Sequence, residues 1–429
     1  MPTDTFRRFF KVEECPPGKD LFSLKADHKG NYDFYIKRTR PAWFKTNVRT
    51  IKNALLMPFV SPRHVPPNFL MENTVYDARY RPVYEGNHYK SIYRGFTDHP
   101  NLPSQPTMSK GVERIRKKAV YFGAFQGHYG HFIIETLSRM WPLLERQFDS
   151  DEYDIVFNLF GTEKYRTEES VFNSYYGQYL FDGLGIPQHQ VKFLRRPSLY
   201  NEVFVPTNAI SLSNYDCFAS AEALKMWHHI NTQMSKRGTQ DWSEKIYITR
   251  AHLTNPVQGR RLVNEDDVEQ LAREMGYSIL IPEELPNEFE KQKALRGAKI
   301  IMGCPGSGLL NSIFAPVGTK VISVFNLKSY IGNPAVVHQI CLNHFKSQQT
   351  FMYAEDDLIA DSEREWSVDI DKVKKFMLQV EEYQGPGTQS QCPHGHISAR
   401  QAQEGKKKNR TGLLGLKAAL LRKLFGSQV

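Results

Sequence analysis

The segment "GHYGHFIIETLSRMW" at residues 127–141 places four side chains that can transfer protons or bind anions on one face of a predicted helix. At about 100° per residue, Glu135, His128 and Arg139 lie within about 80° of His131. The apolar residues of the segment fall on another face, which we expect to pack on a sheet. A histidine beside a carboxylate can accept a proton near neutral pH, as a general base must. The spacing therefore predicts a core helix that presents these four side chains to a cleft.

A solvated polar face is the alternative for this helix. In that case Glu135 and Arg139 form an i,i+4 ion pair worth only about 0.3 kcal/mol. Gly127 and Gly130 favour the cleft, because residues without side chains let a substrate approach the start of the helix. Either His131 or Glu135 could then be the base.

A second candidate site is "GCPGSGLLN" at residues 303–311, between a predicted strand and a helix predicted over 307–314. Backbone N–H groups at such a helix start can bind a phosphate, although many glycine turns are merely tight. Neither a GxxxxGK[ST] loop nor a complete GxGxxG is present, which disfavours nucleoside triphosphatases and dinucleotide oxidoreductases.

The third candidate is Arg250, which follows the predicted strand "KIYIT", with Arg260 and Arg261 ten residues later. A guanidinium group at the carboxyl edge of a parallel sheet lies where a ligand's diphosphate would bind, and its planar fork suits phosphate oxygens. A surface ion pair is the alternative for this arginine.

Strands alternate with single helices around these residues. The predicted strands are 245–249, 277–281, 299–303 and 320–325, and the predicted helices begin at Asn264, at 287 and at 307. Parallel neighbours need crossovers, so this alternation predicts a doubly wound parallel sheet with ligands at its carboxyl edge. A less regular α/β region over 119–238 precedes it, and a last helix is predicted over 368–384.

The length of 429 residues predicts two domains, and 40% hydrophobic with 24% charged residues is typical of globular proteins. We expect an N-terminal α/β domain at 1–238 with an irregular beginning, and a C-terminal Rossmann-like domain at 239–384. We predict a flexible basic linker at 385–410 and an amphipathic helix at a membrane surface at 411–429.

The net charge of +10 is concentrated at the C-terminus, where seven basic residues and no acidic ones follow Glu404. The rest of the chain is only mildly basic, which disfavours nucleic acid as a partner. Leucines at 413, 416, 420 and 424 add an apolar stripe that fits binding to anionic lipid. Packing onto the protein itself or onto a dimer partner is the alternative for this tail.

Five scattered cysteines without a CxxC pair indicate neither a disulfide framework nor a zinc site. The first twenty residues lack the apolar core of a signal peptide, and no apolar run could span a bilayer. These features predict a protein of a reducing, cytoplasmic compartment, held at the inner face of the membrane by its tail.

Several blocks together resemble glycosyltransferase family 61. In order, they are "GHYGHFIIETLSRMWPLL", "IYITR", "RLVNEDDV", "GYSILIPEEL" and "KIIMGCPGSGLLNSIFAPVGTKVI", within about residues 119–325. The resemblance implies an inverting, metal-independent transferase without a cofactor, whose substrate donor is a nucleotide-sugar, usually a UDP-sugar. It also implies the GT-B fold, an α/β architecture of two Rossmann-like domains facing across a cleft.

The resemblance further assigns roles to particular residues. His131 and Glu135 match the pair on the acceptor side and would be catalytic, with His128 and Arg139 nearby in the cleft. The donor side would comprise Arg250, Arg261, Asn264, Gly306, Ser307, Gly308 and Asn311, with Asn311 capping or orienting the turn. Pro305 departs from the family, which commonly has histidine at that position.

The resemblance therefore predicts transfer of a sugar to a glycan or lipid-linked glycan in surface polysaccharide (capsule or lipopolysaccharide) biosynthesis. Two alternatives stay open from the sequence. One is a catalytically degenerate scaffold that binds a nucleotide or a glycan, motivated by Pro305. The other is a different group transfer to glycans, such as pyruvyl transfer.

Overall fold

The computed structural model describes residues 12–14, 39–58, 74–86, 111–160, 167–212, 216–252, 261–326, 334–355 and 365–384. The linker predicted at 385–410 and the tail helix predicted at 411–429 lie outside the described residues, as does Arg260. All described residues belong to one compact unit.

The first half of the chain forms a six-stranded mixed sheet and a smaller four-stranded sheet. Its strands are β1 (Val12–Glu14), β2 (Arg40–Phe44), β3 (Val48–Leu56), β4 (Val75–Tyr76), β5 (Glu113–Gln126), β6 (Tyr153–Phe160), β7 (Val191–Phe193), β8 (Ser198–Pro206), β9 (Ile210–Leu212) and β10 (Asp216–Ala219). The large sheet has the order β4-β3-β8-β5-β6-β7, and its last four strands run parallel. The small sheet has the order β1-β2-β10-β9.

Among the described residues of this half, four segments contain an α-helix. Helix α1 follows β5 and changes type along its length, from an α-helical Tyr129–His131 through a π-helical Phe132–Thr136 to an α-helical Leu137–Arg139. The others are α2 (Glu168–Phe172), α3 (Tyr175–Gly177, continued as the π-helix Gln178–Gly183) and α4 (Ala221–Met234).

The second half forms a five-stranded sheet in which every neighbouring pair is parallel, as the alternation of strands and helices predicts. Its elements, with a two-stranded sheet of β12 and β17, are β11 (Lys245–Ile248), β12 (Arg261–Leu262), α5 (Glu265–Glu274), β13 (Ser278–Leu280), α6 (Glu288–Gly297), β14 (Ile300–Gly303), β15 (Lys320–Asn326), α7 (Pro334–Phe345), β16 (Gln349–Glu355), β17 (Glu365–Trp366) and α8 (Ile370–Glu382). The prediction ended the sheet at the strand over 320–325, whereas α7 and β16 add one more helix and strand at its edge. Buried histidine, glutamine and asparagine interrupt the apolar pattern of α7 and hide its period.

Each large sheet has its own apolar core. In the first half, Ala119 and Tyr121 of β5 pack with Val203 and Val205 of β8. In the second half, residues of the central strands pack against α5 and α8, and Trp366 is fully buried among them. Continuous apolar strands covered on both faces are typical of parallel sheets, which is why the sequence predicts this half well.

The prediction that the cysteines form no disulfide was wrong. Cys217 of β10 and Cys341 of α7 form a disulfide, with their Cα atoms 6.3 Å apart. The two cysteines are separated by 124 positions in the sequence, so no local spacing could reveal the pair. Cys304 is free and buried, and burial raises the pKa of its thiol. Among the described helices, none is both long enough and apolar enough to span a bilayer.

Candidate active site

Helix α1 starts at a point where the strand order of the first sheet reverses. The chain leaves β5 for β6 and β7 on one side, and then returns to β8 on the other side of β5. Ligands of parallel sheets bind at such reversals, outside the carboxyl ends of the strands. Tyr129, the first helical residue, follows the end of β5 at Gln126 by three positions, so the helix start lies at this edge.

His131 and Glu135 form a close pair on α1. The distance between His131 Nδ1 and Glu135 Oε1 is 2.6 Å, and Gln126 Nε2 donates to the other carboxylate oxygen at 3.4 Å. Because a carboxylate accepts, the neutral form of His131 has its proton on Nδ1 and its lone pair on Nε2. The side chains are 25% and 13% exposed. The pair therefore combines a histidine that can accept a proton with a carboxylate that orients it.

Arg139 does not reach the cleft, contrary to the helical-wheel prediction. Its side chain is buried, and its guanidinium donates from Nε to Pro206 O at 3.0 Å and from Nη2 to Glu85 O at 2.6 Å. The π-helical segment explains the error, because its hydrogen bonds enclose one more residue and shift everything after it around the helix. Gly123 makes room for the arginine: its φ is 74°, and a Cβ there would overlap the guanidinium.

His128 precedes the first helical residue of α1 and is exposed. Its ring centroid lies 5.2 Å from that of His131, so the two rings are neighbours as the sequence predicts. A role for His128 in acceptor binding stays a prediction.

The second sheet also has a strand-order reversal, and it lies between β11 and β14. The sheet order is β13-β11-β14-β15-β16, so the chain moves to one side of β11 and then continues on the other. Arg250 follows the end of β11 at Ile248, and the turn at 305–308 follows the end of β14 at Gly303. The two donor-side motifs thus come together at the position where such sheets bind ligands.

Arg250 has an unsatisfied donor. Its Nη1 is buried and has no hydrogen-bond partner among the described residues. A buried donor without a partner costs about 1–3 kcal/mol, so an anion that bound there would recover that free energy. The backbone N–H of Arg250 donates to Glu265 Oε1 at 2.8 Å, which fixes the residue at the strand end.

Glu265 is a site residue whose role the sequence does not reveal. The N-terminal position in α5 indicates only an acid that complements the helix dipole. Its carboxylate is in fact buried and also accepts from Tyr247 OH at 3.1 Å and Thr249 Oγ1 at 3.3 Å. Burial raises the pKa of Glu265, against the hydrogen bonds and the nearby Arg250, which lower it.

The turn at 305–308 continues into a 3₁₀ helix, Leu309–Phe314, and not into the α-helix predicted from 307. The backbone N–H groups of Gly306, Ser307 and Gly308 have no hydrogen-bond partner among the described residues. Buried Asn311 holds the turn: its Nδ2 donates to Ser307 O at 3.1 Å and to Gly308 O at 2.8 Å. Asn311 therefore orients the turn, and the turn offers unused donors to an anion.

Two residues assigned to the donor side by the resemblance are engaged elsewhere. Asn264 Nδ2 donates to Val368 O at 2.9 Å, and the backbone N–H of Val368 donates to Asn264 Oδ1 at 3.1 Å. Arg261 is 61% exposed and lies 3.5 Å from the carboxylate of Glu365, its neighbour in the two-stranded sheet. Asn264 and Arg261 thus contact the residues just before α8, and the structure does not bring their side chains into the site.

The start of α1 touches the donor-side turn directly. A Cβ built on Gly130 would lie 2.7 Å from Ser307 Oγ and 3.3 Å from Ser307 Cβ. One residue earlier, the Tyr129 hydroxyl donates to Asn311 Oδ1 at 2.5 Å. The His131–Glu135 pair and the turn at 305–308 therefore lie on two sides of one contact.

Residues 129–322 match the family model described as Glycosyltransferase 61. The matched range begins at the first residue of α1 and ends within β15, so it includes both halves of this site. This region of the chain belongs to glycosyltransferase family 61. No curated protein matches the chain. Its family implies a sugar donor and a glycan acceptor, which the two halves of the site can divide between them.

The chain contains two DxD sequences, Asp149–Asp151 before β6 and Asp369–Asp371 at the start of α8, and neither is part of the turn at 305–308. Asp369 is exposed and caps the helix by accepting from the backbone N–H of Lys372 at 3.1 Å, and Asp371 is exposed in the first turn. The described residues contain no group of three or more histidine, cysteine, aspartate or glutamate side chains that could hold a metal ion.

Proposed function

We propose that this glycosyltransferase moves a sugar from a UDP-sugar to a glycan hydroxyl, with inversion at the anomeric carbon and without a metal ion. The observation that carries the proposal is the contact between the start of α1 and the turn at 305–308. This contact supports the proposal because it brings the His131–Glu135 pair close to the N–H groups of Gly306, Ser307 and Gly308.

On the acceptor side, His131 Nε2 removes the proton of the attacking hydroxyl. The acceptor oxygen then bonds to the anomeric carbon while the bond from that carbon to the diphosphate oxygen breaks. A single displacement of this kind inverts the configuration. Glu135, 2.6 Å from Nδ1, holds the ring in the reactive tautomer and stabilises the imidazolium that forms.

On the donor side, Arg250 Nη1 and the N–H groups of Gly306, Ser307 and Gly308 stabilise the departing diphosphate. Donors already fixed in place lower the barrier without reorganising during the reaction. Glu265 holds the backbone of Arg250 at 2.8 Å, and Asn311 holds the turn at 2.8 and 3.1 Å. Because these groups supply the positive charge, we expect full transfer activity in EDTA; loss in EDTA with recovery on adding manganese would contradict this part.

We also propose the GT-B arrangement, with an acceptor-side domain at 1–238 and a donor-side domain at 239–384. Its support is that each large sheet contains a parallel portion with its own strand-order reversal, and that both reversals contribute to the site. Limited proteolysis in the polar segment around 235–244 tests the boundary, since two stable fragments are expected after the Cys217–Cys341 disulfide is reduced.

We further propose a role in capsule or lipopolysaccharide biosynthesis at the inner face of the membrane, with a lipid-linked glycan as acceptor. The support is the sequence of the tail, with its basic run and leucine stripe at 411–429. The Cys217–Cys341 disulfide removes cysteine usage as an argument for a reducing compartment. Flotation with anionic liposomes, with and without residues 405–429, tests this proposal, and equal behaviour of the two proteins would contradict it.

Calorimetry against UDP, GDP and CMP tests the donor proposal, with Arg250→Ala as the variant expected to lose affinity. We expect UDP to bind more tightly than the other nucleotides. A panel of UDP-sugars with mass analysis of the products then identifies the sugar and distinguishes glycosyl from pyruvyl transfer. Absence of affinity for all three nucleotides would contradict the proposal.

A further inference from the structure

A buried ion pair lies behind the junction of α1 and the donor turn. Lys291 Nζ is 2.8 Å from Glu288 Oε2, both on α6, and their side chains are only 4% and 8% exposed. Glu288 Oε2 also accepts from Tyr179 OH at 2.7 Å. A buried ion pair is weak evidence for stability, so its position next to the site calls for another reason.

Tyr129 connects this pair to the donor turn. Its hydroxyl lies 2.8 Å from Tyr179 OH, 3.2 Å from Lys291 Nζ and 2.5 Å from Asn311 Oδ1. The Lys291 ammonium also lies 4.2 Å from the centre of the Tyr129 ring. Burial raises the pKa of Tyr129 to about 12, so the hydroxyl keeps its proton at neutral pH.

The direction of the bond to Asn311 follows from the donors and acceptors around it. Asn311 Nδ2 is occupied with the carbonyl groups of Ser307 and Gly308. Its Oδ1 therefore faces Tyr129, and the phenol donates to it while Lys291 donates to the phenol oxygen. The phenol thereby holds the oxygen end of the amide whose nitrogen end holds the turn.

Tyr129 also precedes His131 by two residues at the start of α1. We propose that Tyr129 is a positioning residue, which fixes the separation between the catalytic histidine and the donor turn through Asn311 and contacts neither substrate. The Lys291–Glu288 pair holds the phenol in this role. The inference rests on the proposed function in that it takes His131 as the base and the turn as the diphosphate site.

Tyr129→Phe tests the proposal, because it removes the hydroxyl and keeps the ring next to Lys291. A misplacement of about 1 Å can cost about a hundredfold in rate, so we expect kcat to fall by at least about tenfold. The Kd for UDP should change by less than about threefold, because Asn311 Nδ2 still holds the turn.

Tyr121→Phe is the matched control. Tyr121 is buried, and its hydroxyl makes two hydrogen bonds, to Thr74 Oγ1 at 2.8 Å and from Asn158 Nδ2 at 2.7 Å, far along the chain from the donor turn. We expect a similar loss of Tm in both variants but a loss of kcat only in Tyr129→Phe. Equal kcat in the two variants, or a loss of UDP affinity as large as the loss of kcat, would overturn the proposal.

A thermal double-mutant cycle separates this proposal from the proposed function. The variants are Tyr129→Phe, Asn311→Ala and the double variant, each measured without any substrate. We expect the double variant to lose less Tm than the sum of the two single losses, because both changes break the same bond. Additive Tm losses would overturn the proposed role of the bond from Tyr129 to Asn311. A wild-type protein that neither binds UDP nor transfers a sugar would instead overturn the proposed function, and the Tm comparison would still be valid.

Discussion

The carboxyl edge of β5 and the carboxyl edge of β14 bring different kinds of groups to the same junction. At the first edge, α1 offers two side chains, His131 and Glu135, that can move and stabilise a proton. At the second, the turn at 305–308 offers backbone N–H groups, with Arg250 beside it. Titratable side chains suit the acceptor hydroxyl, and fixed dipoles with a permanent cation suit a diphosphate. The division predicts that changes at the first edge affect kcat, and changes at the second affect donor affinity.

His131→Asn should give the largest effect, because it removes the proton acceptor and keeps a polar side chain. General base catalysis typically contributes about 10²–10⁴ in rate, so we expect kcat to fall by about a thousandfold. The Kd for UDP should stay unchanged. His189→Asn, at an exposed histidine, is the control and should keep full activity. A tenfold or smaller loss in His131→Asn would move the role of base to another residue.

Arg250→Ala should reduce donor affinity. A hydrogen bond to a charged group contributes about 1.5–3 kcal/mol, so we expect the Kd for UDP to rise by about tenfold to a hundredfold. Arg273→Ala, an exposed arginine that pairs with Glu269 on α5, is the control. Unchanged UDP affinity in Arg250→Ala would mean that the diphosphate binds elsewhere.

Glu135→Gln should decide which member of the pair is the base. The amide oxygen can still accept from His131 Nδ1, but it carries no charge to stabilise an imidazolium. Replacing a charged by a neutral acceptor weakens the bond by about 1.4 kcal/mol, so we expect kcat to fall by about tenfold. If Glu135→Gln is as damaging as His131→Asn, the carboxylate is the base.

Gly130→Ala tests whether the two edges are in contact. The new Cβ would lie 2.7 Å from Ser307 Oγ and would push α1 and the turn apart. We expect kcat to fall and the Kd for UDP to rise, each by about fivefold, since the neighbouring Ser307 side chain can partly yield. Adding Ser307→Ala should restore part of both. A Gly130→Ala protein with normal kinetics would show that this contact is absent in the working enzyme.

Arg261→Ala should have the smallest effect. The family pattern assigns this arginine to the donor, whereas the structure leaves it exposed beside Glu365. Surface ion pairs contribute little, so we expect kcat and the Kd for UDP to stay within about twofold of wild type. A tenfold loss of UDP affinity would restore the role that the family pattern gives it.

The sequence predicts the second half of the fold better than the first, for physical reasons. Strands of a parallel sheet are apolar throughout, and single helices between them leave few alternative topologies. Helix α1 is harder, because a π-helical segment breaks the regular angular step and turns Arg139 into the core. The Cys217–Cys341 disulfide depends on a contact across 124 positions, which no local pattern records.

The same distinction holds within the site. His131 with Glu135, and the glycines of the donor turn, are local patterns with a local physical meaning, so the sequence shows them. The orienting role of Glu265 depends on its burial beside Arg250. The link from Tyr129 to Asn311 joins residues 182 positions apart. Interactions that depend on tertiary contacts could be found only once the two edges were seen together.

A crystal structure of the protein with bound UDP would show whether the two edges form one active site. We expect the diphosphate to lie against the N–H groups of Gly306, Ser307 and Gly308, within hydrogen-bonding distance of Arg250 Nη1, with His131 Nε2 facing the terminal phosphate across the junction. A diphosphate bound at any other edge of the second sheet, or on the far side of the molecule from His131, would contradict this expectation.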